Sequence, residues 1–255
     1  MIKIKNSRRT GSLFHYAHFI CDCLFTEVVN DIFMYKIVIR EKNTNQTIGN
    51  FYKIYNEVMK SENRELLEKD FNKLDIDTIF LNKDDYCNKI NFEKFRNYIF
   101  SRYNIDHLKY NINYPNVVLV KRGERKELID DPYLSKRNKN IKSGRERRHI
   151  KDIKRIENYL QNKYNNNFKS LYFEDISFEE QVKYFNNGKL IICAHGAVMS
   201  NMFFCKENIY LIEVTCNNDG FYFFDQISKI LNINNIKCRK NNYKNIINLI
   251  NNIDL

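Results

Sequence analysis

The sequence predicts an α/β protein built on a parallel sheet, with a second, smaller α/β lobe ahead of it. Two observations lead there. From about residue 116 to 253, short apolar strand-like runs alternate with helix-patterned segments at short connections, the signature of a parallel sheet covered on both faces. The 255 residues are 43% hydrophobic and 14% aromatic, enough core material for one large domain or two small ones. The two lobes are read as 1–112 and 113–255.

In the first lobe, Met1–Lys5, Met34–Arg40 and Asp77–Leu81 are strand-like, while 13–30, 51–59 and 92–103 carry helical patterns. In the second, NVVLV (116–120) is a strand, and 146–164 places Ile150, Ile153, Ile156 and Leu160 on one helix face. SLYF (170–173) is the next strand. Ser177-Phe-Glu-Glu180 reads as a capping box that opens a helix to about Asn187, with Gly188 at the C-terminal cap. Strands follow at 189–194 and 209–214, with a short helix at 197–205 between them. Helices at 221–231 and 243–253 complete the chain. The asparagine-rich stretch 232–252 reads as compositional bias.

The formal net charge is +11, which points to an anionic partner: nucleic acid, a membrane surface or a phosphorylated small molecule. The excess is local. From Lys121 to Arg155 there are 14 Lys/Arg against 6 Asp/Glu, so this segment carries +8 of the total. No run approaches the roughly 18 apolar residues of a membrane span, and the N-terminus has no signal-peptide pattern. The seven cysteines lie scattered in apolar segments. Cys21 and Cys23 lack the companions a zinc site needs, so all seven read as reduced thiols of a cytoplasmic protein. Asp84-Asp85 is too isolated among Lys and Asn to be a metal pair, and no metal ligand is assigned.

Ligands of open α/β sheets bind outside the carboxyl ends of the strands. Lys121 and Arg122 follow the first strand there, Glu174 and Asp175 the second, His195 and Gly196 the third, and Glu213 closes the fourth. A glycine beside a histidine, in a chain with only 7 glycines, marks a sharp turn or a close approach. The helix after it would aim its first N–H groups into the same crevice, a phosphate-receptive arrangement. Arg122 with Arg147 or Arg148 could clamp phosphate oxygens bidentately. Near the N-terminus, His18 and Asp22 are four apart and share a helix face, so the carboxylate could fix the imidazole tautomer.

Taken in order, Arg122, R-x-I-x-D (Arg148 to Asp152), S-x-x-E-Q (Ser177 to Gln181), HGA-x-x-x-N (His195 to Asn201) and the strand bearing Glu213 resemble the family 61 glycosyltransferases. That family includes plant xylan-modifying transferases and O-linked N-acetylglucosaminyltransferases. The resemblance is clear over about 115–232, and FHYAHFICDCLF, with His18 and Asp22, is weakly similar to a further family segment. Asp152 stands where asparagine is more usual, no proline follows Glu213, no secretory anchor is seen, and the N-terminal lobe is reduced.

The resemblance implies an inverting transfer from a nucleotide sugar, UDP-linked, in a two-lobed fold of the GT-B type, without an essential metal. Its acceptor would be a glycan or a glycoprotein. Donor contacts would come from Arg122, Arg148, Glu180, Gln181, His195, Gly196, Ala197, Asn201 and Glu213, with Glu213 holding a ribose or sugar hydroxyl. His18 and Asp22 would supply the base. The charged loop from Gly123 to Gly144 has the length of a lid. Two rivals stand beside this reading: a nucleic-acid-binding protein, although the basic run lacks interleaved aromatics, and a catalytically inactive glycosyltransferase-like scaffold. The oligomeric state is open.

Overall fold

A computed structural model describes residues 16–29, 51–59, 87–123, 148–215 and 223–255. The chain divides into two compact units, Met1–Ile105 and Asp106–Leu255. In the first, the described residues are helical: α1 (Tyr16–His18), a π-helical segment (Phe19–Leu24), α2 (Phe25–Val29), α3 (Tyr52–Met59) and α4 (Lys89–Arg102). The sequence leads one to expect one regular helix through 13–30; instead its middle is wound as a π-helix. The wider turn coincides with burial of Phe19, Ile20, Cys21, Leu24, Phe25 and Val28, more apolar positions than one face of an α-helix presents. Phe19 stacks on Phe51 at 5.0 Å, and Phe25 meets Phe92 and Phe95 edge-on at 5.6 and 5.5 Å. The strands expected at 1–5, 34–40 and 77–81 and the Asp84-Asp85 pair lie outside the described residues.

The second unit holds a five-stranded, all-parallel sheet: β1 (Val117–Lys121), β2 (Phe168–Tyr172), β3 (Leu190–Ala194), β4 (Tyr210–Val214) and β5 (Asn234–Cys238), in the order β2-β1-β3-β4-β5. The α/β class expected from the alternating pattern is therefore what the chain adopts. The helices are α5 (Ile153–Tyr164), α6 (Phe178–Asn187), α7 (Phe223–Ile230) and α8 (Tyr243–Asn251). Ile156 and Leu160 of α5 and Ile246 and Ile250 of α8 pack with Val117, Leu119, Leu190, Ile192 and Ile212 on one sheet face. The segment Ala197–Phe204 and helices α6 and α7 pack together. By register, the alternate strand positions, including Val118, Ile191, Cys193, Leu211 and Glu213, point to the opposite face.

Ser177 caps α6, its side chain accepting from the Glu180 N–H at 3.1 Å. Gly188 sits at the end of α6 as expected, but with φ −66° and ψ 128° rather than a left-handed conformation. Space is what demands glycine: a Cβ there would stand 2.9 Å from Ile191 Cγ1 and 3.1 Å from the Tyr184 carbonyl oxygen. Residues 197–204 form a 3₁₀-helix rather than an α-helix. The strand β5 was hidden in the asparagine-rich stretch. It is an edge strand with only Cys238 fully buried, so its sequence never shows an apolar run.

Candidate active site

The strand order places a switch point between β1 and β3. The chain leaves β1 toward α5 on one face and leaves β3 toward the 3₁₀-helix on the other, which opens a crevice outside their carboxyl ends. Arg122 follows β1 and His195-Gly196 follows β3.

Gly196 has φ 153° and ψ −160°, a region open essentially to glycine alone. A Cβ on it would lie 2.7 Å from Nη1 of Arg122 and 3.8 Å from Nη1 of Arg148. Two guanidinium groups from separate loops thus close on one glycine. Gly196 needs to be glycine twice over, for its backbone conformation and for that approach. Just beyond it, the first 3₁₀ bond runs from the Met199 N–H to the Gly196 carbonyl at 3.0 Å. The Ala197 and Val198 N–H groups therefore precede the ladder and mark its positive end. Arg148 belongs to the loop leading to α5, where Asp152 is left-handed at φ 55°. Asparagine and aspartate both tolerate that conformation, so the aspartate in the arginine motif preserves the turn.

His195 is buried. Its N–H bonds the Val214 carbonyl at 2.9 Å, its ring meets Phe224 edge-on at 5.9 Å, and Nδ1 lies 2.5 Å from Glu213 Oε1. Burial opposes ionisation of Glu213, but hydrogen bonds from His195 and Asn235 and the nearby charges of His195 and Lys237 outweigh it. The carboxyl is held below its usual pKa. Both Glu213 oxygens are engaged within the protein, Oε2 accepting from Asn235 at 3.1 Å.

The Gln181, Asn201 and Glu180 side chains, also expected as donor contacts, are engaged within the protein. Gln181 and Asn201 are buried: the Gln181 amide donates to the Phe173 carbonyl at 2.9 Å and accepts from Asn201 at 3.3 Å. These bonds tie α6, the end of β2 and the 3₁₀-helix together, a scaffold under the crevice. Glu180 accepts from the Tyr114 hydroxyl at 2.7 Å. Lys121 is bonded to Glu157 at 2.8 Å, so of the basic pair only Arg122 turns to the glycine. Arg145 and Arg147 and the loop 124–147 lie outside the described residues. For His18 and Asp22 the structure describes the backbone alone: His18 ends α1 and Asp22 lies in the π-helical segment. Asn235, Asp225 and Lys237 were not read from the sequence; the one available signal, polar residues alternating at 235 and 237, sits in a stretch that looks like compositional bias. Among the described residues there is no cluster of His, Cys, Asp or Glu that could hold a metal ion, and no helix long and apolar enough to cross a membrane.

A doubly wound α/β unit with two arginines and a glycine turn at its switch point has the form of a protein that binds anionic ligands at its strand ends. The chain matches the profile of the family described as Glycosyltransferase 61 over residues 16–212, and it belongs to that family. The match takes in the helix with His18 and Asp22 and stops one residue short of Glu213. No curated protein matches the chain. Family membership implies glycosyl transfer.

Proposed function

We propose that this protein is an inverting, metal-independent glycosyltransferase that takes a UDP-linked sugar and passes it to a glycan or protein acceptor. The unit Asp106–Leu255 would supply the donor lobe and Met1–Ile105 the acceptor side of a GT-B arrangement, a boundary a few residues ahead of the 112/113 expected from the sequence. The observation that carries the reading is the approach of the Arg122 and Arg148 guanidinium tips to Gly196, at the switch point of a parallel sheet.

In an inverting transfer the acceptor oxygen attacks the anomeric carbon as the bond to the diphosphate breaks. A base removes the acceptor proton, and charge builds on the leaving phosphate. Arg122 and Arg148 offer fork-shaped donors to that phosphate, and the Ala197 and Val198 N–H groups add the positive end of the 3₁₀-helix. His195 faces the same phosphate or the sugar. His18, with Asp22, takes the acceptor proton; a π-helical segment is a frequent companion of functional residues. Fixed cations and dipoles can do the work of a divalent ion at such a site.

A thermal-shift panel of nucleotide sugars, followed by nucleotide-release assays on any hit, tests this. A true donor at about 100 times its Kd adds about 2.7 kcal/mol to the folded state, so the melting temperature should rise with concentration and saturate. A panel without any saturating shift overturns the reading. Binding without turnover moves the protein to the inactive-scaffold alternative.

A further inference from the structure

Behind His195 lies an array that the crevice reading does not use. Glu213 is 2% exposed, with one oxygen on the imidazole and the other on the Asn235 amide. The same Asn235 Nδ2 reaches Asp225 Oδ1 at 3.4 Å, and Asp225 Oδ2 meets Lys237 Nζ at 2.5 Å. Imidazole, carboxylate, amide, carboxylate and ammonium follow one another across β4, β5 and α7. By register Glu213 stands opposite Lys237 on one side and Cys193 on the other.

A carboxylate at this depth stays ionised only where hydrogen bonds and charge replace its water. Asn235 turns its N–H end to two carboxylates, an orientation that an aspartate in its place could not supply. Asp225, itself neutralised by Lys237, holds that amide from the far side. Among the described residues, the Arg122 and Arg148 tips lie at the adjoining Gly196, and the Cys193 thiol stands beside Glu213, kept protonated by burial and by that carboxylate.

We propose that Glu213 is a positioning residue for His195, and that Asn235, Asp225 and Lys237 hold it as an anion aimed at Nδ1, which fixes the tautomer and the orientation of the imidazole beside Gly196. The link from that orientation to the donor rests on the crevice reading above; the array itself does not. Glu213 thereby acts through the histidine instead of holding a sugar hydroxyl.

NMR of the ring nitrogens in the ligand-free full chain tests the array, with His195→Gln identifying the resonances among the five histidines. The wild-type His195 ring signals should show the Nδ1–H tautomer and should sense the ionisation of Glu213 as a lower, acid-side inflection with pH. Glu213→Gln should abolish that lower inflection and with it the preference for the Nδ1–H tautomer. Asn235→Leu should raise the lower inflection by about half a pH unit or more. Lys237→Gln should raise it less, and it carries the test should Asn235→Leu not fold. A folded Asn235→Leu or, failing that, Lys237→Gln with the lower inflection unmoved overturns the proposal. Calorimetry with pyrophosphate runs beside it: a wild type that binds none refutes the crevice reading while the titration still decides the array.

Discussion

The two ends of the parallel sheet both carry cations, and they use them differently. At the amino ends, the Lys206 ammonium bonds the Lys109 carbonyl at 2.6 Å and lies 4.1 Å from the centre of the Tyr110 ring, which Lys189 covers at 5.1 Å. Asparagines fasten the entering chain there: the Asn187 side chain accepts from the Asn111 N–H and donates to the Tyr114 carbonyl, both at 2.6 Å. At the carboxyl ends, two arginines close on a glycine whose backbone only glycine adopts. One end spends its polar groups on backbone; the other gathers charge where the fold leaves a crevice. Net charge alone does not separate these uses, since both contribute to the same +11.

The comparison breaks most directly at Arg122. Arg122→Ala should weaken pyrophosphate or nucleotide binding by about 100-fold, the scale of a lost charge-assisted pair, with little change in melting temperature. Equal binding by calorimetry would erase the distinction between the two ends. Gly196→Ala comes next. Strain of about 1–3 kcal/mol in that backbone region, added to the contact with Arg122, should lower binding at least tenfold and also lower the melting temperature.

Asn187→Ala probes the opposite end. It leaves two part-buried backbone groups without their partner and should cost about 1 kcal/mol in denaturant unfolding while the nucleotide Kd stays put. The smallest effect is an acid limb. Glu213 has a depressed pKa in the folded state, so its contribution is present above the unfolded value of about 4.3 and fades as pH falls through the folded one. The stability difference between wild type and Glu213→Gln should therefore shrink below about pH 4; a difference constant from pH 6 to 3 would show that the carboxylate charge does not matter there.

Much of the scaffold was legible because its strands are buried on both faces. The runs VVLV, LIICA and YLIEV announce β1, β3 and β4, and the Ser177 cap announces α6. Strand β5 was not, since an edge strand can be built of NNIKC when only one end is covered. Arg122, His195 and Gly196 could be nominated from their places after apolar runs, and Arg148 from the basic stretch and the R-x-I-x-D motif. The partnership of Glu213 with His195 and Asn235 could not, because a pairing across neighbouring strands depends on register and no local pattern encodes it.

By itself the sequence determined the α/β class, the family motifs and the ends of β3 and β4, because apolar periodicity, caps and the glycine turn are local properties of the chain. Only the tertiary structure decided the order β2-β1-β3-β4-β5, and with it that the loops after β1 and β3 become neighbours. The physical reason is that crossover direction sets which strands lie side by side, and two like-charged side chains meet at one glycine only once sheet burial has brought their loops there.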